Sequence, residues 1–300
     1  MKAKNLSFTS AAEVVPPHAW FGVSAVFHYL GPSFAVLLFP AVGVLGVAWM
    51  RIATAALMFA AWTKPWRIFA HASARERILL LALGLCLAVM NTSFYLALDR
   101  LPMSLVAAIE FVGTIGVAAY GLRTRRNLLA LLLAIAGVFV LIDLRWSSDP
   151  LGLFWAFLNG AMFVGYLLLG HRIAEGGASG GVDRLGAAMT AALLFIMPIG
   201  FMQAMRAIAD PMLLLAGIGV GVCSSVIPYV CDQLAMSRLP RASFALLLAL
   251  LPATATVIAA LVLAQIPSTR DILGVLLVMV GVALHRPSPP PLKEIAETTL

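Results

Sequence analysis

Four stretches of the chain, Ile78–Leu98, Leu151–Gly170, Leu185–Met205 and Met212–Cys231, contain no charged side chain. Each is about 20 residues long, enough as a helix to cross the ~30 Å hydrocarbon core of a bilayer. No water reaches the backbone there, so such segments must satisfy their own N–H and C=O groups as helices. Ala19–Thr63 is too long for one crossing and holds a single charge, Arg51. Pro40 and the glycines after it predict a break into two helices. Met103–Gly121, Asn127–Ile142, Ala242–Thr269 and a shorter segment near Ile272–Leu284 bring the expected spans to ten.

Composition agrees. Charged residues make up 11% of the chain, hydrophobic residues 62%, and the mean hydropathy is +1.00. A soluble domain carries roughly 25% charged residues. Lipid must therefore cover most of the surface. The first apolar run starts after Pro17 and is long enough to stay as a helix, so no cleavable leader is expected.

Lysine and arginine set the orientation. With a cytoplasmic N-terminus, fifteen of them fall on the inner side, among them Lys64, Arg67, Arg75, Arg77, Arg172, Arg184 and Arg238. Only four, Arg100, Arg145, Arg206 and Arg270, fall outside. Both termini are expected in the cytoplasm, the protein in the inner (plasma) membrane, with polar tails at 1–17 and 287–300. The basic residues explain the net charge of +7. They are spread over short loops, whereas a nucleic-acid partner would need them on one soluble face. Cys86, Cys223 and Cys231 lie in apolar runs without metal-ligand spacing and read as small buried hydrophobes, so no metal or cofactor is expected.

The chain repeats itself. Ala97-Leu98-Asp99-Arg100-Leu101-Pro102 recurs as Ala235-Met236-Ser237-Arg238-Leu239-Pro240, 138 residues later. Ala136-Gly137-Val138 echoes as Val280-Gly281-Val282, 144 residues later. Two halves, 18–145 and 150–286, then hold five spans each. An odd number inverts the second half relative to the first, the arrangement of many alternating-access transporters. The expected fold is an all-α membrane protein of ten transmembrane helices in two inverted five-helix repeats.

Two charges lie deep. Counted from the prolines that open their helices, Arg51 is about 16 Å and Glu110 about 12 Å into the membrane. Such residues cost roughly 2.5–3.5 kcal/mol to insert and normally face a bundle interior. They could meet if their helices are neighbours. One reading is a static ion pair that locks two helices. The other is a substrate or proton site, where the carboxylate holds an ammonium group or exchanges a proton. Cavity-lining candidates are His28 and Tyr29, mid-helix in the first span; Asn91 and Tyr95, four apart on the third; and Ser225, Tyr229 and Asp232 on the eighth, beside Pro228. Polar residues on one face can also serve as glue between helices. Gly217-Ile218-Gly219-Val220-Gly221 reads as a packing face. No phosphate-binding Gly-Lys-Ser/Thr loop is present, so energy must come from a gradient or a partner.

Leu38-Phe39-Pro40, Gly43, Gly46, Arg51 and Lys64-Pro65-Trp66-Arg67 resemble the opening of EamA-family threonine/homoserine exporters, in the drug/metabolite transporter superfamily. The likeness continues through Asn91, Phe94-Tyr95-Leu96, Pro102, Ala107, Glu110-Phe111, Gly160-Ala161, Tyr166, Gly170, Arg172, Pro198-Ile199-Gly200, Pro228-Tyr229, Arg238-Leu239-Pro240 and Phe244. It runs from about residue 25 to 285. It implies ten helices in two inverted halves, both termini cytoplasmic, and a cavity lined by the first, third, fourth, sixth, eighth and ninth helices. The chain departs from it at Val36 for a lysine, Gly113-Thr114 for Gly-Pro, Leu251-Pro252 for Glu-Pro and Gln265 for an acid. Glu110 is the one usual acid present.

Together these point to a secondary transporter exporting a small metabolite, an amino acid of the threonine/homoserine kind, with proton coupling. A permease for another metabolite or a drug is the alternative within transport. An intramembrane enzyme would need a convergent second acid, a Ser/His arrangement or a metal cluster, and none stands at helical spacing. A purely structural membrane protein would leave the deep charges without a reason. The expected partners are the small-molecule substrate and the lipid bilayer, with no nucleic acid; a homodimer is left open.

Overall fold

The computed structural model describes residues 15–121, 124–141, 149–174, 177–239, 244, 247 and 250–284. Most of the expected 1–17 tail, the 287–300 tail and most of the Asp143–Asp149 loop lie outside these. Eleven helices are described: α1 Pro17–Val42, α2 Val44–Thr63, α3 Pro65–His71, α4 Ala74–Leu98, α5 Met103–Gly121, α6 Arg125–Leu141, α7 Pro150–Ala174, α8 Gly177–Ala209, α9 Pro211–Met236, α10 Leu251–Leu263 and α11 Thr269–Leu284. No strand occurs among the described residues. Helices α1, α2, α4, α7 and α9, and Gly180–Ala209 of α8, are each long and apolar enough to cross a membrane.

Local chemistry sets the ends. The break expected at Pro40 comes three residues later. Pro40 lies inside α1, and the chain turns at Gly43, whose φ of 87° suits a residue without a Cβ. A proline near a C-terminal end removes one amide bond but need not stop the last turn. Ser73 and Glu76 close a reciprocal capping box at the start of α4. Asp210 accepts from the Met212 and Leu213 N–H groups at the start of α9.

The packing is that of a membrane protein. Large apolar side chains such as Leu57, Ile78, Leu194, Met202 and Leu261 point outward. Tyr29, Tyr95, Tyr166 and Tyr229 are fully buried at the centre.

The two Arg-Leu-Pro corners share one backbone pattern. At the first, Ala97 C=O accepts from Arg100 and Leu101 N–H at 3.0 and 2.8 Å; at the second, Ala235 C=O accepts from Arg238 and Leu239 N–H at 3.1 and 2.9 Å. Helices α6 and α11 approach reciprocally. A Cβ on Gly137 would come within 2.6 Å of Gly274 O, and one on Gly281 within 2.7 Å of Ala130 O. Shifting the first pair by 144 residues gives the second.

Candidate functional site

The centre of the bundle is polar because six helices, α1, α2, α4, α5, α7 and α9, direct hydrogen-bonding side chains into it. Arg51 on α2 is 3% exposed. Its Nε donates to Ser225 Oγ at 2.8 Å and its Nη2 to Ser224 O at 2.7 Å. The guanidinium carbon stands 5.2 Å from the Tyr95 ring centroid, a cation–π contact. Ser224 and Ser225 belong to a π-helical turn, Val222–Val226, set within α9. In a regular helix the N–H of residue 228 would serve Ser224 O, but residue 228 is proline and has none. Arg51 donates to that carbonyl instead. The π turn is therefore joined to α2 by a charged group.

Arg51 and Glu110 do not form an ion pair. Helices α2 and α5 are not packed neighbours, and Arg51 is turned towards α9. Glu110, 2% exposed, packs where α5 crosses α7 at Gly160. Asn159 lies beside it and faces the carboxyl, but the approach is too long or too bent for a normal hydrogen bond, so both amide atoms of Asn159 and Glu110 Oε2 are left without a well-formed one. The Tyr29 hydroxyl and Arg51 Nη1 are also buried without partners. An unpaired buried donor or acceptor costs about 1–3 kcal/mol. The unpartnered atoms include a guanidinium nitrogen, a phenol hydroxyl, an amide and a carboxyl oxygen, so donors and acceptors are both present.

A second layer lies two turns along α9. Asp232 Oδ1 accepts from Ser24 Oγ at 2.5 Å and Oδ2 from the Tyr166 hydroxyl at 3.3 Å. The Tyr229 hydroxyl donates to Asn91 Oδ1 at 3.1 Å, while Asn91 Nδ2 donates to Leu87 O. The Tyr95 hydroxyl reaches Ser224 Oγ at 3.4 Å. His28 stacks edge-on against Tyr29 and Phe163.

The structure thus places Arg51, Tyr95 and Ser225 in one connected network, and Tyr229 and Asn91 in a hydrogen-bonded pair on α9 and α4. Asp232 joins them through α9, and Glu110, Tyr29 and His28 stand alongside. Sequence reasoning passed over Ser24, Tyr166, Asn159 and Ser224. Ser24 could have been found four residues before His28, and Asn159 as the one amide in a charge-free run. Gln265, where an acid is usual, accepts the Met103 N–H at 3.3 Å and so caps the start of α5.

Comparison with known proteins gives the family. Residues 150–285 match the model of the EamA-like transporter family. The chain is 34% identical over 230 residues to the threonine/homoserine exporter RhtA of Salmonella typhimurium (strain LT2), with 76% of each chain covered. It is 33% identical to the RhtA of Escherichia coli (strain K12), over the same 76% of each. A solved crystal structure covers 92% of this chain and 96% of its own at a TM-score of 0.56 and 18% identity, which shows a shared fold. The chain is a multi-pass inner-membrane protein, and it belongs to the EamA-like transporter family.

Proposed function

We propose that this protein exports a neutral amino acid with a short hydroxyl side chain, exchanging it for protons at Glu110. The observation that carries this reading is the set of buried, unpartnered groups of both polarities at the bundle centre. Arg51 Nη1 suits a substrate carboxylate, Glu110 Oε2 a substrate ammonium, and Asn159 and the Tyr29 hydroxyl a side-chain hydroxyl. The relatives' names, threonine/homoserine exporter, support the same substrate class. Substrate ammonium and proton compete for one carboxylate, which ties the two movements together.

In this reading ten helices form two inverted five-helix repeats, 18–145 and 150–286, and both termini are cytoplasmic. The matching corners, the reciprocal α6–α11 contacts and the lysine and arginine bias support it.

The test is counterflow in proteoliposomes loaded with threonine or homoserine. The amino alcohol lacking the carboxylate and the N-acetylated amino acid should both fail to compete. Glu110→Gln should fold and reach the membrane yet lose pH-gradient-driven transport. Wild-type rates with unchanged pH dependence in purified Glu110→Gln would make the carboxylate structural and move the proton site to His28 or Asp232. Transport of a substrate with neither ammonium nor carboxylate would favour the second reading, a permease for another metabolite.

A further inference from the structure

Away from the centre, two adjoining cavities of about 480 and 890 Å³ open where α4 begins and α7 ends. Glu76, Leu79 and Arg172 line both, so they form one groove. Its lower wall is apolar and faces lipid: Ile78 and Leu168 are 68% and 58% exposed. Its rim is basic. Arg75, Arg172 and Arg184 stand there against one carboxylate, Glu76.

That carboxylate is already engaged. Glu76 Oε2 accepts from Ser73 N–H and Oγ at 3.1 and 3.2 Å, and Arg184 Nη2 lies 3.5 Å from Oε1. Arg184 also donates to Ile173 O. Arg75 and Arg172 have no hydrogen-bond or ion-pair partner among the described residues. Two guanidiniums with no partner among the described residues thus stand beside an apolar trough between two packed helices.

We propose that this groove binds an anionic glycerophospholipid, its phosphate on Arg75 and Arg172 and an acyl chain along Ile78, Leu79 and Leu168. Guanidinium forks match phosphate oxygens in geometry and charge. The trough continues the lipid-facing surface, so a headgroup can enter with its chains still in the bilayer. A soluble phosphate would leave the apolar wall unused. The proposal does not depend on which substrate is carried.

The experiment is native mass spectrometry of the full-length protein after exchange into vesicles of equimolar phosphatidylglycerol and phosphatidylcholine. Two surface arginines favour the anionic headgroup by about 30-fold, so wild type should retain phosphatidylglycerol over phosphatidylcholine by that order. Arg75→Gln with Arg172→Gln should reduce the preference to about one. Ala82→Trp, which fills the exposed trough and leaves both arginines in place, should reduce it too. This second variant keeps the test open if the first fails to fold. No preference in wild type, or an unchanged preference in either folded variant, would overturn the proposal. So would displacement of the lipid by glycerol 3-phosphate at equal concentration, which would mark a site for a soluble phosphate.

Discussion

Tyr229 donates a 3.1 Å hydrogen bond to Asn91, and the two residues are 138 positions apart, the interval that separates the two Arg-Leu-Pro corners. In the proposed two-repeat arrangement, a residue that touches its own counterpart would lie on the axis relating the halves. Arg51, Tyr95, Ser224 and Ser225 come from the same helices as this pair or from α2 packed beside them.

Removing either partner of that bond should be measurable. Tyr229→Phe leaves Asn91 Oδ1 buried without its donor and should lower stability by about 1–3 kcal/mol. Asn91→Leu should do the same from the other side. The double variant should lose less than the sum, with a coupling of about 0.5–3 kcal/mol. Thermal unfolding in detergent reads all three. Strict additivity would mean that the bond contributes nothing.

Arg51 has a structural duty as well as its proposed one, and the two can be separated. Arg51→Ala leaves Ser224 O without its side-chain donor and should lower the melting temperature and abolish transport. Adding Pro228→Ala restores a main-chain N–H four residues after Ser224. The double variant should regain part of the stability and none of the transport. A double variant no more stable than Arg51→Ala would show that the carbonyl is not what Arg51 supports.

Just before α7, Asp149 accepts from Arg100 and from the Leu151 and Gly152 N–H groups. The Arg100 hydrogen bond, followed by that of Gly152, holds its carboxyl below the ordinary 3.8. A depressed value contributes stability above pH 3.8, lost as pH falls through the folded-state value. Between pH 7 and 5 this contact should not change the melting temperature. Below about pH 4 wild type should lose more stability than Asp149→Asn, which keeps no charge to lose. Parallel acid melting curves for the two proteins would refute the assignment.

The α6–α11 contact leaves no room for a side chain. Gly137→Val and Gly281→Val should each cost about 1–3 kcal/mol through overpacking against main chain. Gly219, with nothing within 4 Å of a built Cβ, is the control and should tolerate valine within about 0.5 kcal/mol. Equal expression and melting of all three variants would mean that the two helices can separate freely.

Hydropathy made the helices legible because a bilayer allows few alternatives. It could not place the α1–α2 break at Gly43, since a left-handed φ leaves no mark beyond glycine itself and Pro40 was the louder signal. The π turn at Val222–Val226 leaves no mark of its own, because Val-Cys-Ser-Ser-Val is equally compatible with a regular helix. Arg51 and Ser225 each stand out in the sequence, but not as partners. Counting residues from a helix start gives depth in the membrane and no rotation about the axis, so two charges at similar depth looked like partners. Asn91 and Tyr229 were each visible as polar faces, while the bond between them depends on how distant helices meet.

The interlock of α6 with α11 also limits how the protein can move. Their main chains are in contact at Gly137 and Gly274 and again near Gly281 and Ala130, so sliding by a fraction of a turn would drive carbonyl oxygens into neighbouring atoms. In the proposed transport cycle these two helices are the fulcrum: spin labels on α6 and α11 should keep one fixed separation while labels on α4 and α9 change theirs.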